Sequence, residues 1–316
     1  MNLPTYEDAP EIVQHFLKDY LKVAKNRSDL TIKEYYYDIS NMLKFVKREK
    51  ENIKVDSYKD IYIKDLDIEF MKKITTEDLY EYVFAMNAKA VSRSRKISSM
   101  KTFFNYLCNN KKILDKNPCI GLEGAHAEKR LPKYLKLDEA KALLSCIDGE
   151  FKERDMAIIT LFLNCGLRLS ELVGIDLKRI KGDTLNIIGK GNKERSVHLN
   201  RACLDAINDY MRVRPVEGVK DKEALFLSKQ RKRMSPRMVE LLVKKYIARI
   251  GLDTTKYTPH KLRHTAATLM HKYGNVDVIT LQQILGHESV ATTQIYTHVD
   301  NEEVRNAIDN NPLNNL

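Results

Sequence analysis

The sequence predicts a mainly α-helical protein in two parts: an all-helical first domain, then an α-rich domain with a small antiparallel β-sheet. Three observations carry this. Apolar residues recur at helical spacing through most of the 316 residues. Only two short runs, 184–188 and 194–199, read as strands, and Gly-Lys-Gly-Asn-Lys joins them. From about 123 to 136 the periodicity stops in a basic stretch, EGAHAEKRLPKYLK, which reads as an extended linker. The length allows two domains, each with its own core. They are expected at 1–125 and 137–316, with the linker at 126–136.

From about Asp8 to Val23, the residues Ile12, Val13, Phe16, Leu17, Tyr20 and Leu21 fall at helical spacing. A second helix starts near Thr31 and turns Ile32, Tyr35, Tyr36, Ile39, Leu43 and Val46 inward. Asn52 to Asp67 is rich in Lys and Asp and weakly patterned, so it reads as a loop with at most partial order. Thr75 or Thr76 begins a third helix. In the fourth, VSRSRKISSMKTFFNYLCNN, Ile97, Met100, Phe103, Phe104 and Leu107 face a core. Arg93, Arg95, Lys96 and Lys101 share its other side with serines. Such a face offers point charges and small donors to a DNA backbone. A solvated helix face fits this segment equally well.

The second domain opens with a helix start at Leu137-Asp138-Glu139-Ala140. A helix over about Lys152 to Cys165, nearly all apolar, ends at Gly166. Arg168 follows between that buried helix and further apolar residues, so it must be paired or face a cleft, and Glu171 is within reach as a partner. Lys190 lies between the hairpin glycines, but the spacing of a P-loop and its following helix are missing, which removes nucleotide binding. Further helices are expected over about Arg201 to Val213 and from Ser235-Pro236 to Ile250, with a short run at Ala224 to Leu227 between them. Pro259 is a good first helical residue, and His260 and Arg263 then project from one face. Gly274 ends that helix, and the next, about Val276 to Leu285, stops at Gly286. Ser289 caps a short helix presenting Tyr296. A tail from Asp300 carries Val304, Ile308 and Leu313 with nothing local to cover them.

A net charge of +11 favours a polyanionic partner, nucleic acid or an anionic membrane surface. No apolar run approaches the length of a membrane span, and MNLPTYEDAPEIV lacks a basic-then-apolar signal design. The five cysteines are scattered without a Cys-x-x-Cys pair, which reads as reduced thiols in a cytoplasmic protein and not as disulfides or a zinc site.

Taken in order, Gly-Leu-Arg168-Leu-Ser-Glu171-Leu, the Gly-Lys190-Gly hairpin, His260-x-x-Arg263, Gly286-His287 and Tyr296 resemble the signature of the tyrosine recombinase (phage integrase) family. One tyrosine among 16 is a weak signal alone, whereas the ordered set is specific. The short chain looks most like the Xer-type or small mobile-element integrase branch. The resemblance implies a SAM-like core-binding domain ahead of the catalytic domain. It implies a site-specific recombinase that cuts and rejoins DNA through a 3′-phosphotyrosine, with no metal, ATP or other cofactor.

By the same resemblance Tyr296 is the nucleophile, Lys190 the acid for the leaving 5′ oxygen, and Arg168 and Arg263 the cationic forks on the non-bridging oxygens. His260 serves as base or proton shuttle, His287 donates to phosphate, and Glu171 stands behind Arg168. Lys133, Lys193 and Arg195 join the helix-face cations as DNA contacts. The implied partners are duplex DNA with inverted-repeat sites and a homo- or hetero-tetramer in which the tail helix docks on the next protomer. A monomeric tyrosine topoisomerase and a non-catalytic DNA-binding relative are the alternatives. A phosphohydrolase using His and Arg leaves the basic first domain unexplained.

Overall fold

The computed structural model describes residues 6–123, 133–188, 194–274 and 276–286, and the chain divides into two units, Met1–Lys129 and Arg130–Leu316. Most of the expected linker therefore lies outside the described residues.

In the first unit, α1 (Glu11–His15) runs on as a π-helix over Phe16–Ala24, and α2 spans Asp29–Lys50. Then come α3 (Ile68–Lys72), α4 (Thr76–Ala85) and α5 (Ala90–Asn105), which continues as a second π-helix, Tyr106–Asn110. Local chemistry sets the starts. Ser28 Oγ accepts from the Thr31 amide at 3.3 Å. Thr75 and Asp78 cap each other reciprocally, at 3.2 and 2.7 Å. The core is aromatic: Phe16 meets the rings of Phe103 and Tyr106, each at 5.2 Å between centroids.

The segment Asn52 to Asp67 is a loop with partial order, as expected: it holds one 3-10 turn, Tyr58–Asp60, and it is anchored to the core. Ile61, Ile63 and Leu66 are all buried in the first unit's core. The Lys47 ammonium, itself buried, donates to the Tyr62 carbonyl at 3.0 Å and to both Asp65 oxygens at 2.6 and 2.8 Å. Its three apolar anchors are too irregularly spaced to give a period, so the sequence does not single them out.

The basic face of α5 also makes contacts within the first unit. Arg95 grips Asp38 of α2 end-on, at 2.6 and 2.9 Å, and Ser99 Oγ donates to the same carboxylate at 2.7 Å. Lys96 stands 3.8 Å from it. Asp38 is 2% exposed, so these cations compensate a buried charge and are not simply free for phosphate. Arg93 is half-buried and donates to the Ala88 carbonyl. Lys101 is half-buried, whereas Lys133 is exposed.

In the second unit, α6 (Leu137–Ser145), α7 (Lys152–Cys165) and α8 (Leu169–Val173) precede a sheet of β1 (Ile180–Lys181), β2 (Thr184–Ile188) and β3 (Glu194–His198). The strands are antiparallel in the order β1-β2-β3, with Thr184 opposite His198 and Ile188 opposite Glu194. β1 was not anticipated, since two residues carry no alternation. Helices α9 (Arg201–Val213), α10 (Pro236–Arg249), α11 (Pro259–Gly274) and α12 (Val278–Leu285) complete the unit. Buried nearly throughout, α7 is the central post, packed against α9 and α11. The chain enters this unit on a fixed point, because the Leu135 amide donates to the buried Thr265 hydroxyl at 2.9 Å. Among the described residues no helix is long and apolar enough to cross a membrane.

The Asp38 cluster gives a stability test. Replacing Arg95 by alanine leaves a buried carboxylate with only Ser99 and Lys96 beside it and should destabilise the protein by about 1–2 kcal/mol in urea unfolding, whereas a free surface arginine would cost less than about 0.5 kcal/mol. Adding Asp38→Ala should recover part of that loss, because the stranded charge goes with it.

Candidate active site

The site begins where α7 ends. Gly166 is its left-handed cap, with φ +57°, and a side chain there would put Cβ 2.7 Å from Leu285 Cδ2. Backbone conformation and close approach thus both require glycine. The next residues, Leu167 and Arg168, deliver the arginine to the start of α8 with its own amide donating to Glu171 Oε2 at 2.8 Å.

Glu171 is the hub. Its side chain is 2% exposed, and it accepts Arg168 Nη1 at 2.8 Å on Oε1. Arg195 of β3 spans both oxygens, Nη1 at 2.6 Å and Nη2 at 3.0 Å, and Arg263 Nη1 lies 3.7 Å away. Burial acts to raise the Glu171 pKa. The hydrogen bonds and charge of Arg195, with those of Arg168, outweigh it and hold the carboxyl below the usual range. Three guanidiniums thus surround one ionised carboxylate, and positive charge is left over.

Arg263 is 2% exposed and reads two helix ends at once. Its Nη1 donates to the Gly166 carbonyl at 2.8 Å and its Nη2 to the Leu285 carbonyl at 2.7 Å, where the dipoles of α7 and α12 favour a cation. Arg168 Nη2 completes the clasp on the Gly286 carbonyl at 2.8 Å. Gly286, in the left-handed conformation at φ +63°, terminates α12 as its sequence position predicted.

His260 stands on the first turn of α11 and keeps an exposed edge. Its Nε2 lies 3.0 Å from His264 Nε2, with the two rings nearly perpendicular at 81°. One nitrogen must donate and the other accept, so the contact favours at most one shared proton between the rings. Burial, then the positive charges of Lys261, Arg263 and Arg168, lower the His260 pKa. His260, Arg168 and Arg263 line a cleft of about 690 Å³ with Ser170 and Glu240.

Of the residues singled out in the sequence, the structure brings Arg168, Glu171, His260 and Arg263 together at this cleft. Lys190, Lys193, His287 and Tyr296 lie outside the described residues. Arg195, expected as a DNA contact, has a side chain 16% exposed whose two Nη atoms donate to Glu171. The signal was in the strand, since Arg195 alternates with Val197 on the inward face while Glu194, Ser196 and His198 are exposed. His264 was passed over as well, although it follows His260 by one helical turn and so shares its face.

The chain matches the family described as the phage integrase family over residues 133–303, and the phage integrase N-terminal SAM-like domain over residues 13–111. It is 52% identical to a tyrosine recombinase XerC from Caldanaerobacter subterraneus subsp. tengcongensis, over 96% of this chain and 87% of that one. It is 32% identical to a tyrosine recombinase XerD from Proteus mirabilis, over 95% and 92% of the two chains. Among solved structures it resembles the XerH site-specific recombinase bound to difH substrate in a pre-cleavage complex, with a TM-score of 0.67 and 24% identity, over 93% of this chain and 83% of that one. That likeness concerns the fold.

The lowered His260 pKa has a sign that can be measured. Between the folded and unfolded pKa values the folded state binds fewer protons, so stability is full above the unfolded value of about 6.5 and declines as pH falls below it. NMR titration should place the His260 midpoint below about 6.5. His260→Gln should lose less thermal stability than wild type on going from about pH 7 to about pH 5.5.

Proposed function

Because this chain belongs to the phage integrase family and is a tyrosine-type site-specific DNA recombinase, we propose which of its residues carry the strand transfer. The tyrosyl oxygen of Tyr296 attacks the scissile phosphorus. The bond to the 5′ oxygen breaks, leaving a 3′-phosphotyrosine ester and a free 5′ hydroxyl. The ester keeps the energy of the broken linkage, so a second 5′ hydroxyl reverses the step on a new partner without ATP. Arg168 and Arg263 hold the non-bridging oxygens, which gain charge in the transition state, from positions set by their bonds to Glu171 and to the helix-end carbonyls. A neutral His260 is suited to take the Tyr296 proton, and its lowered pKa supports that part. Lys190 protonates the leaving oxygen, and His287 donates to the phosphate.

The observation that carries this reading is the convergence of Arg168, Arg263 and His260 on one cleft around a buried carboxylate. A phosphodiester needs fixed positive forks and a neutral base side by side, and these residues supply both. Relatives named as tyrosine recombinases, and the XerH site-specific recombinase solved with its difH substrate, support duplex DNA as the partner. We extend the proposal to paired inverted-repeat sites held in a homo- or hetero-tetramer, with the tail beyond Asp300 docking on the next protomer, and to work in the cytoplasm.

The nucleophile and the acid separate experimentally. With a nicked suicide substrate, wild type should accumulate a covalent protein–DNA adduct, and Tyr296→Phe should bind DNA normally yet give none. An adduct formed by the phenylalanine variant would remove Tyr296 from the role. Lys190→Ala should fail on ordinary DNA and recover on a 5′-bridging phosphorothiolate, whose thiolate leaves without a proton. Absence of that recovery transfers the role to another group, Lys193 first.

A further inference from the structure

We propose that Arg195 is a positioning residue for strand cleavage: one side chain clamps the Glu171 carboxylate and lies against Gly286, fixing both the carboxylate that orients Arg168 and the turn from which His287 follows. The inference rests on the assignment of Arg168, Arg263 and His287 to the phosphodiester.

Three observations carry it. Arg195 takes both Glu171 oxygens with its two Nη atoms, an end-on pair that fixes the carboxylate plane in rotation as well as in distance. Oxygen Oε1 of that carboxylate also accepts Arg168 Nη1 at 2.8 Å, so the spacing of the two guanidiniums is set on a single atom. Without Arg195, Glu171 keeps one bond from Arg168 on each of its oxygens but loses the constraint that ties it to β3 and to Gly286. Arg263 at 3.7 Å cannot supply that constraint by a hydrogen bond of its own at that distance.

The second observation is contact with the turn. A Cβ added to Gly286 would lie 3.0 Å from Arg195 Cδ, 3.1 Å from Nη1 and 3.2 Å from Cζ. The guanidinium therefore rests on the bare Cα of the residue whose carbonyl accepts Arg168 Nη2. Strand β3, the carboxylate hub and the end of α12 meet at this one side chain. Third, Arg195 Nε is buried and has no hydrogen-bond acceptor among the described residues, so the side chain is placed by its Nη bonds to Glu171.

A phosphate contact, a positioning residue and a general prop to the fold give different results in one set of measurements. Arg195→Gln and Arg195→Lys, in the full chain, are compared with wild type for affinity to a single duplex site across salt. Single-turnover adduct formation is then followed at saturating suicide substrate, recording rate constant and amplitude separately. If wild type itself forms no adduct, the functional assignment fails and Arg195 is not at issue.

For a positioning residue, Arg195→Gln binds with wild-type affinity and salt slope, while its cleavage rate constant drops roughly a hundredfold, the scale of an ångström-size misplacement. Arg195→Lys falls between, since an ammonium reaches one carboxylate oxygen without fixing the plane. A 5′-bridging phosphorothiolate does not rescue either, because the defect is at the non-bridging oxygens. Weaker binding with a salt slope lowered by about one, and normal cleavage at saturation, would make Arg195 a phosphate contact and overturn the proposal. Reduced amplitude with an unchanged rate constant and a lower Tm would make it a prop to the fold. Rescue by the phosphorothiolate would place its action on Lys190 instead.

Discussion

A single buried carboxylate holds the catalytic unit's functional end together. Glu171 is nearly inaccessible to solvent, and its carboxyl is held below the usual range by Arg195 and Arg168, with Arg263 of a third element 3.7 Å away. The dependence runs both ways. Arginines brought this close repel one another in a low-dielectric setting, and the carboxylate is what makes their spacing tolerable. A group of like charges held ready for a polyanion therefore needs an opposite charge that substrate does not displace. Glu171 is placed for that by its position on the first turn of α8, where it also caps the Arg168 amide.

The same constraint explains why two glycines sit at helix ends. Gly166 and Gly286 both adopt left-handed conformations, and a Cβ would meet Leu285 at 2.7 Å at the first and Arg195 at 3.0 Å at the second. Each exposes a carbonyl at the end of a helix, and arginines take those carbonyls. Helix termination, close packing and cation placement are thus one arrangement, and α7, α11 and α12 are tied together at their ends as well as along their apolar faces.

Much of this was legible in the sequence, and what was missed has a common cause. Helices with a clear apolar period, the hairpin, the stops at Gly166 and Gly286 and the pairing of Arg168 with Glu171 followed from spacing alone. Spacing does not say which of several basic residues turns inward. Arg95 and Arg195 both looked like surface cations, yet each is drawn to a buried carboxylate from another element, 57 and 24 residues away in the chain. His264 was hidden by the stronger pattern of its neighbours His260 and Arg263. The segment around Ile61, Ile63 and Leu66 escaped because anchoring without periodicity leaves no trace in a local window. Long-range electrostatic pairing and aperiodic burial are set by the fold, and local pattern does not reach them.

The clasp on the end of α12 also creates a thermodynamic linkage. Arg168 and Arg263 hold the Gly286 and Leu285 carbonyls with the same guanidiniums that the chemistry directs at phosphate. An anion that draws a proton of either fork away from a carbonyl weakens the hold on that helix end. By reciprocity, anything that moves the helix end changes the affinity of the forks for the anion by the same factor. On the proposed assignment of Arg168 and Arg263 to the phosphate, anion binding and the position of the α12 end share one coupling free energy, carried by the hydrogen bonds of these two arginines to carbonyls and carboxylate.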